Sequence, residues 1–226
     1  MNNDDATGTR NVRHFGVPQD YRSCWQSMKC FTESRQNDTP DELWLVEHNS
    51  VFTLGIRERA EDCIETGEIP VVKTDRGGLI TYHGPGQLLV YLLLDLRSLG
   101  IGLKSLVNTL EQVTINLLAE YEIQAARMHN APGVYVASRK IASLGLRVQR
   151  GCTYHGLSLN VDMDLSPFDR IVPCGIAGMK MTDMKTLGVS ADIHTIGRHF
   201  VQLLSGALGY NSISDDPGEC LHNDSE

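Results

Sequence analysis

Hydrophobic residues recur with two different spacings in the middle of the chain, and these spacings predict strands and helices. The segment QLLVYLLLDL (87–96) is almost entirely apolar, which is typical of a strand buried on both faces of a sheet. Leucine and valine then recur every three or four residues between Leu103 and Leu118, as in an amphipathic helix. Two further helices are predicted over 18–35 and 191–205, the second with Ser190 as N-cap and Gly206 as its stop.

Shorter apolar or alternating segments predict the remaining strands. Strands outnumber helices, and the helices cluster at the start, middle and end of the chain. The pattern therefore predicts a mixed α/β fold rather than regular βαβ winding. The strand segments are ELWLVEH (42–48), VFTLG (51–55), VVKTD (71–75), LITYH (79–83), GVYVA (133–137), KIASLGLRV (140–148) and CTYHGLSLNVD (152–162).

The two ends of the chain differ in composition from its middle. Residues 1–13 and 211–226 are rich in Asn, Asp, Ser and Gly and are predicted to be disordered, which leaves 14–210 as one domain. No apolar run approaches the roughly 20 residues that span a bilayer, and the N-terminus has no apolar signal segment. A cytoplasmic protein is therefore expected.

Charge is spread unevenly along the chain, whose formal net charge is −8. Residues 209–226 hold five acids and no Lys or Arg, whereas the segment 123–161, here called the basic segment, has no acid. Such a segment fits an acidic partner or a phosphate-bearing ligand, and a solvated strand face is the alternative. Its cations are Arg127, Arg139, Lys140, Arg147 and Arg150.

The six cysteines favour neither zinc nor disulfides. They stand at positions 24, 30, 63, 152, 174 and 220, form no C-x-x-C pair and lie at no zinc-finger spacing from histidine. We expect no metal site and mostly reduced thiols. Cys174 is distinctive because it stands between Pro173 and Gly175 on a stiff turn, where it is a nucleophile, a ligand or an inert buried thiol.

A glycine-rich segment, DRGGLITYHGPGQLLVY (75–91), is the strongest indication of a ligand site. Gly77 and Gly78 allow backbone to approach a ligand closely, and Arg76 could hold an anionic group. GPGQLL lacks the third glycine of a dinucleotide fingerprint and opens a strand, so that interpretation is rejected. The alternative is a glycine-rich hairpin in which His83 has hydrogen-bond partners within the protein and no functional role.

Two strand segments share an unusual content of small residues. In SRKIASLGLRV (138–148), Lys140 lies where the strand begins, a place where a lysine is usually just exposed. The small Ser143 and Gly145 allow backbone or ligand to pack closely beside this strand. CTYHGLSLNV (152–161) has the same character, with His155, Gly156 and Ser158 inside an apolar strand.

Taken together, these segments resemble the lipoate-biosynthesis octanoyltransferases, also called lipoyl(octanoyl) transferases. The resemblance rests on RGGLITYHGPGQLLVY (76–91), SRKIASLGLRV (138–148), HGLSLNV (155–161) and IVPCGIAG (171–178), which stand in the family's order. It implies the fold of the biotin and lipoate protein ligases: a single domain with a mostly antiparallel or mixed central sheet, a smaller sheet and flanking helices.

The resemblance also implies a reaction, its partners and its residues. An octanoyl group would pass from acyl carrier protein to a lysine of lipoyl domains, in 2-oxoacid dehydrogenase E2 subunits and glycine cleavage H protein, with no cofactor and from a monomeric enzyme. Cys174 matches the nucleophile that carries an acyl thioester, and Lys140 the lysine that lowers its pKa. The substrate-binding stretches match Arg76, Gly77, Gly78, Leu79, Ile80, Thr81, Tyr82, His83, Ser143, Leu144, Gly145, Gly156, Leu157 and Ser158. Ser158 stands where relatives often have alanine.

The chemistry of these residues leads to further expectations. Exchange of one sulfur for another on a thioester needs no ATP, whereas the acceptor lysine must lose a proton, which Lys140 could take. The backbone N–H groups of Gly175 and of Gly77–Gly78 are candidate oxyanion donors. The alternatives are an ATP-dependent ligase of the same fold, a non-catalytic binding module, and a hydrolase that pairs Cys174 with His83 or His155. A biotin ligase should carry a GRGR-type loop, which the sequence lacks.

Overall fold

The computed structural model describes residues 10–57, 65–172, 178–210 and 213–217, which form two β-sheets and three α-helices. The helices are α1 (Tyr21–Ser34), α2 (Leu103–Glu120) and α3 (Ile193–Leu208). The strands are β1 (Arg10–His14), β2 (Asp41–Val46), β3 (Val51–Leu54), β4 (Val71–Lys73), β5 (Ile80–His83), β6 (Gln87–Leu93), β7 (Ala126–Met128), β8 (Ala131–Val136), β9 (Arg139–Gln149), β10 (Cys152–Asn160) and β11 (Ile213–Pro217). The mixed α/β prediction is confirmed.

The large sheet has the strand order β11-β1-β2-β6-β10-β9-β8-β7. Its β11, β1 and β2 run parallel to one another, and every other neighbouring pair is antiparallel. The small sheet has the order β4-β3-β5, with β4 parallel and β5 antiparallel to β3. This is the expected combination of a mostly antiparallel central sheet and a smaller one.

The centre of the large sheet is covered on both faces, which explains its apolar sequences. Every residue of β6 and of β10 is buried. Along β6, Leu88, Val90 and Leu92 face the core beneath α2 and α3, while the alternate residues Leu89 and Tyr91 face the core beneath α1. Because successive side chains of β6 point into two different apolar cores, its sequence is a continuous hydrophobic run, as predicted.

Both ends of the last helix differ from the prediction. Asp192, not Ser190, caps α3 by accepting a hydrogen bond from the Thr195 backbone N–H at 2.9 Å. Gly206 lies inside the helix, and the C-cap is Gly209 in a left-handed conformation with φ 73°. The helix continues past Gly206 because a glycine can adopt the left-handed conformation that ends a helix but can equally remain helical.

The segments predicted to be disordered are partly ordered, which corrects that prediction. Residues 10–13 belong to β1, and β11 lies within the acidic tail. Arg10 is fully buried, with its guanidinium carbon 3.4 Å from the centre of the Tyr210 ring. The rest of both segments lies outside the described residues, and so does Cys174. No helix in the described part of the chain is long and apolar enough to cross a membrane.

Candidate active site

A cavity that is partly open to solvent lies between the centre of the large sheet, the small sheet and α1. Its walls contain every predicted substrate-binding residue except Gly77 and Tyr82. Four residues were not in that prediction: Tyr21, Leu89, Tyr91 and His155. Three stretches that are far apart in sequence therefore meet at one site. The complete lining is Tyr21, Arg76, Gly78, Leu79, Ile80, Thr81, His83, Leu89, Tyr91, Ser143, Leu144, Gly145, His155, Gly156, Leu157 and Ser158.

The register of β9 and β10 creates the floor of this cavity. Gly156 lies opposite Gly145, and Ser158 lies opposite Ser143, so four small residues face the same space. Gly156 is also required for strand packing, because a Cβ there would overlap the carbonyl oxygen of Val90 on β6. The small residues predicted from sequence thus leave room both for a ligand and for neighbouring backbone.

The glycine-rich segment is not a hairpin, because its two strands belong to different sheets. β5 pairs with β3 in the small sheet, whereas β6 pairs with β2 and β10 in the large one. On β5, alternation turns Thr81 and His83 toward the cavity. Tyr82 packs in the core of the small sheet, where its hydroxyl lies 2.9 Å from that of Ser50. Tyr82 is thus absent from the cavity wall, although Ile80, on the same face at the start of β5, lines the cavity as well as this core.

Arg76 lines the cavity but uses its guanidinium to hold the protein together. Nε donates to Thr53 Oγ1 at 3.0 Å, Nη2 donates to the Thr53 carbonyl at 2.6 Å, and Nη1 donates to the Gly77 carbonyl at 3.0 Å. The Gly77 N–H in turn donates to the Leu146 carbonyl on β9 at 3.2 Å. Arg76, which the sequence suggested could hold an anionic group, therefore joins the small sheet to the glycine loop. The Gly77 N–H, a candidate oxyanion donor, already donates to a carbonyl of the protein.

Two buried histidines beside the cavity have tautomers that their partners determine. The His48 Nδ1–H donates to the Gln19 carbonyl at 3.0 Å, so its Nε2 accepts the Tyr91 hydroxyl proton at 2.5 Å. The His83 ring stacks on Tyr21 at 5.7 Å, and its Nδ1 lies 2.7 Å from Gln87 Oε1. Burial lowers the pKa of His48 to about 4 and holds the pKa of His83 well below its usual range. Both rings are therefore neutral near pH 7.

A third imidazole, that of His155, is held by a carboxylate. Its backbone has φ 59°, uncommon for a residue other than glycine, and its Nε2 lies 3.0 Å from Asp75 Oδ1. Asp75 also accepts hydrogen bonds from Trp25 Nε1 at 2.8 Å and from the Tyr154 hydroxyl at 2.6 Å. Partial burial alone would raise the pKa of Asp75, but the bonds from His155, Tyr154 and Trp25 hold it well below its usual range.

Lys140 is buried, with only 1 % of its surface exposed, so the interpretation as an ordinary exposed lysine is wrong. Its ammonium lies 5.4 Å from the centre of the Tyr135 ring, and its stem packs against Gly133, where a Cβ would leave no room. Its backbone pairs with the segment 180–182, donating to the Lys180 carbonyl at 2.9 Å and accepting from Thr182 at 3.0 Å. Because 173–177 lie outside the described residues, the distance between Cys174 and Lys140 stays a prediction.

The basic segment presents fewer surface charges than its sequence contains. Lys140 is buried, and Arg127 pairs with Glu111 at 2.9 Å. Arg139, Arg147 and Arg150 remain exposed on β9 and on the turn that follows it. Three arginines on one strand and its turn still favour an acidic partner.

Comparison with known proteins assigns the chain to a family. The model of the lipoyl protein ligase A/B catalytic domain matches residues 20–205. The chain belongs to this family. An octanoyltransferase of Shewanella sp. (strain W3-18-1) is 50% identical over 210 residues, which are 93% of this chain and 96% of that protein. Members of this group are acyltransferases, and so is this enzyme.

Solved structures confirm the expected fold of this family member. The bipartite lipoate protein ligase of Thermoplasma acidophilum superimposes with a TM-score of 0.74 at 16% identity, covering 94% of this chain and 87% of that one. The biotin protein ligase of Aquifex aeolicus superimposes with a TM-score of 0.55 at 15% identity, covering 88% of this chain and 70% of that one. At these identities the likeness shows the fold alone.

Proposed function

We propose that this acyltransferase moves an octanoyl group from acyl carrier protein to a lysine of a lipoyl domain, through a thioester on Cys174 and without ATP. The observation that carries the proposal is that three motif segments, separated in sequence, form one cavity floored by glycine and serine. Its leucine and isoleucine side chains suit an acyl chain.

The fixed position of Lys140 supports a role beside Cys174. Lys140 pairs with 180–182, and Cys174 lies only a few residues before that segment in sequence. A cation next to a cysteine favours the thiolate, which is the nucleophilic form. The thiolate then attacks the donor thioester, the carrier thiol leaves, and the acyl group stays on Cys174.

The decisive experiment is an intact-mass measurement after mixing the enzyme with octanoyl-acyl carrier protein in the absence of ATP. We expect an octanoyl adduct that is absent from Cys174→Ser and retained in Cys30→Ser, a control on an exposed cysteine of α1. Lys140→Ala should slow adduct formation more than Lys140→Arg, which keeps the charge. An unmodified wild-type enzyme would overturn the proposal, a need for ATP would indicate a ligase, and released octanoate would indicate a hydrolase.

The carrier protein is proposed to dock on Arg139, Arg147 and Arg150. Exposed arginines attract an acidic partner through interactions that salt screens. We therefore expect carrier affinity to fall as ionic strength rises, and to fall when Arg147 and Arg150 are changed to glutamine. Affinity that does not depend on salt would contradict this docking surface. We also propose that the enzyme acts in the cytoplasm. We propose in addition that it is a monomer, which size-exclusion chromatography with light scattering tests.

A further inference from the structure

Burial of the cavity wall increases across the large sheet, from β9 to β6. On β9 the lining residues Ser143, Leu144 and Gly145 are only partly buried. On β10 and β6 every lining residue is buried. Tyr21 of α1 and His83 of β5 are buried as well, and their rings stack at a centroid distance of 5.7 Å. The cavity therefore opens beside β9 and is closed at β6.

Side-chain size increases across the floor of the cavity in the same direction. The register places Ser143 of β9 opposite Ser158 of β10, and Ser158 opposite Leu89 of β6, so the three side chains share one face of the sheet. Leu89 in turn lies opposite Val46 of β2, which does not line the cavity. Leu89 is therefore the first bulky side chain that a ligand lying across this row meets, and the cavity ends there.

The adjacent row of the floor ends at a ring whose position is fixed. Gly145 lies opposite Gly156, and Gly156 lies opposite Tyr91 of β6. The Tyr91 hydroxyl donates to Nε2 of His48 at 2.5 Å, and the His48 Nδ1–H donates to the Gln19 carbonyl at 3.0 Å. Turning the Tyr91 ring aside would leave a buried hydroxyl and a buried imidazole without their bond, which destabilises the fold. Tyr91 is therefore a rigid part of the closed end.

The width of the floor matches an acyl chain of medium length. β10 separates β9 from β6, and neighbouring strands lie about 4.8 Å apart, so the floor from β9 to β6 is about 10 Å wide. An extended chain of eight carbons, with bonds of about 1.5 Å, is about 9 Å long. An octanoyl chain that crosses the floor with its carbonyl carbon beside β9 therefore brings its terminal methyl group to Leu89. The partly buried side of the cavity then receives the polar thioester.

We propose that Leu89 limits the length of the acyl chain that the cavity accepts, by contacting the terminal methyl group of an octanoyl chain. This inference rests on the proposed function, but it concerns the closed end of the cavity and not the groups that react. Each methylene group that moves from water into the cavity strengthens binding about four-fold. A longer chain meets the Leu89 side chain, and a well-packed interior resists added volume. Affinity should therefore rise with chain length up to eight carbons and then fall.

Calorimetric titration with free saturated fatty acids, from butanoate to dodecanoate, measures this limit without any reaction. For the wild type we expect the highest affinity for octanoate. Leu89→Ala removes three carbons from the closed end, so the maximum should move to decanoate, and the ratio of decanoate to octanoate affinity should rise about ten-fold or more. Leu88→Ala is the matched control, because Leu88 precedes Leu89 on β6 and is also buried, but in the core beneath α2 and α3. It should leave the maximum at octanoate.

A substitution in the opposite direction shortens the cavity. Ser158 lies in the same row as Leu89, one strand closer to the open side. Ser158→Val places a branched side chain on the floor at that point, and the maximum should move to hexanoate or a shorter acid. Competition between octanoyl- and decanoyl-acyl carrier protein gives a second readout. Leu89→Ala should raise the proportion of decanoyl product on the lipoyl domain about ten-fold, whereas Leu88→Ala should not change it.

The dependence of affinity on chain length decides the inference. A maximum that stays at octanoate in folded Leu89→Ala, or that moves as far in Leu88→Ala, would overturn it, and so would a wild type whose affinity keeps rising beyond octanoate. If circular dichroism shows that Leu89→Ala does not fold, Leu89→Val tests the same limit with an expected maximum at nonanoate. Failure of the proposed function gives a different result: a wild type that binds octanoate best but forms no octanoyl adduct on Cys174.

Discussion

Asp75→Asn is the sharpest test of how the cavity wall is held. The carboxylate accepts from Trp25 and His155 through Oδ1 and from Tyr154 through Oδ2. The amide oxygen of asparagine can keep the two N–H donors, but its nitrogen cannot accept the Tyr154 hydroxyl proton and can only donate to the hydroxyl oxygen. The variant therefore replaces the charge-assisted bond from Tyr154 by a neutral one and loses the charge that strengthens the other two.

The expected loss is about 2 kcal/mol of unfolding free energy, since hydrogen bonds to charged groups contribute about 1.5–3 kcal/mol. For a chain of this size that lowers Tm by roughly 4–8 °C, which differential scanning calorimetry measures. Asp162→Asn is the matched control, because Asp162 pairs with Lys185 while 57% of its side-chain surface is exposed. Such a pair contributes about 0–1 kcal/mol.

The difference between Asp75→Asn and wild type should also depend on pH. The pKa of Asp75 is depressed in the folded state, so its contribution is complete above the unfolded value of about 4 and is lost as the pH falls below it. Other carboxylates titrate in both proteins and cancel in the comparison. Equal losses for Asp75→Asn and Asp162→Asn at pH 7, or a loss that is as large at pH 2 as at pH 7, would refute this reasoning.

Two further predictions concern packing and thiol reactivity. Gly156→Ala should lower the unfolding free energy by about 1–3 kcal/mol in urea titrations, because its Cβ meets a β6 carbonyl. Gly145→Ala should destabilise less but raise KM for the acyl donor, since its Cβ would lie 3.0 Å from the Gly77 carbonyl; the opposite ranking in stability would contradict the strand register. Iodoacetamide with peptide mapping should label exposed Cys30 well before buried Cys152, whose pKa burial and then Asp95 raise. Faster labelling of Cys152 would refute its burial.

Strands with a strong pattern of their own were predictable, whereas strands that depend on a distant partner were not. β6 and β10 are recognisable from their continuous apolar sequences because both of their faces are buried. β1, with the sequence RNVRH, has an ordinary polar composition and exists because it pairs with β2 and β11. The three-residue β7 is similar, being an edge strand paired only with β8 among the described elements. Non-local pairing of this kind leaves little local signal.

The candidate site was predictable wherever glycine, serine or a charge interrupts an apolar strand. Leu89 and Tyr91 were missed because they continue the apolar alternation of β6, and Tyr21 because it is one of several apolar residues of a helix. Their role depends on which face of the sheet carries the cavity, and only the three-dimensional arrangement determines that.

Arg76 shows why a motif residue need not contact the ligand that its charge suggests. All three of its side-chain nitrogens already donate to Thr53 or Gly77, and Gly77 is bonded to Leu146 on the large sheet. An anionic ligand would have to displace these bonds, leaving buried carbonyl and hydroxyl groups of the small sheet unsatisfied. An anionic group on the acyl donor is therefore better met by the exposed Arg147, which lies on the same strand as the cavity-lining Gly145. Arg76 of the glycine loop shapes the cavity, and the exposed Arg139, Arg147 and Arg150 of the basic segment are better placed to recognise charge.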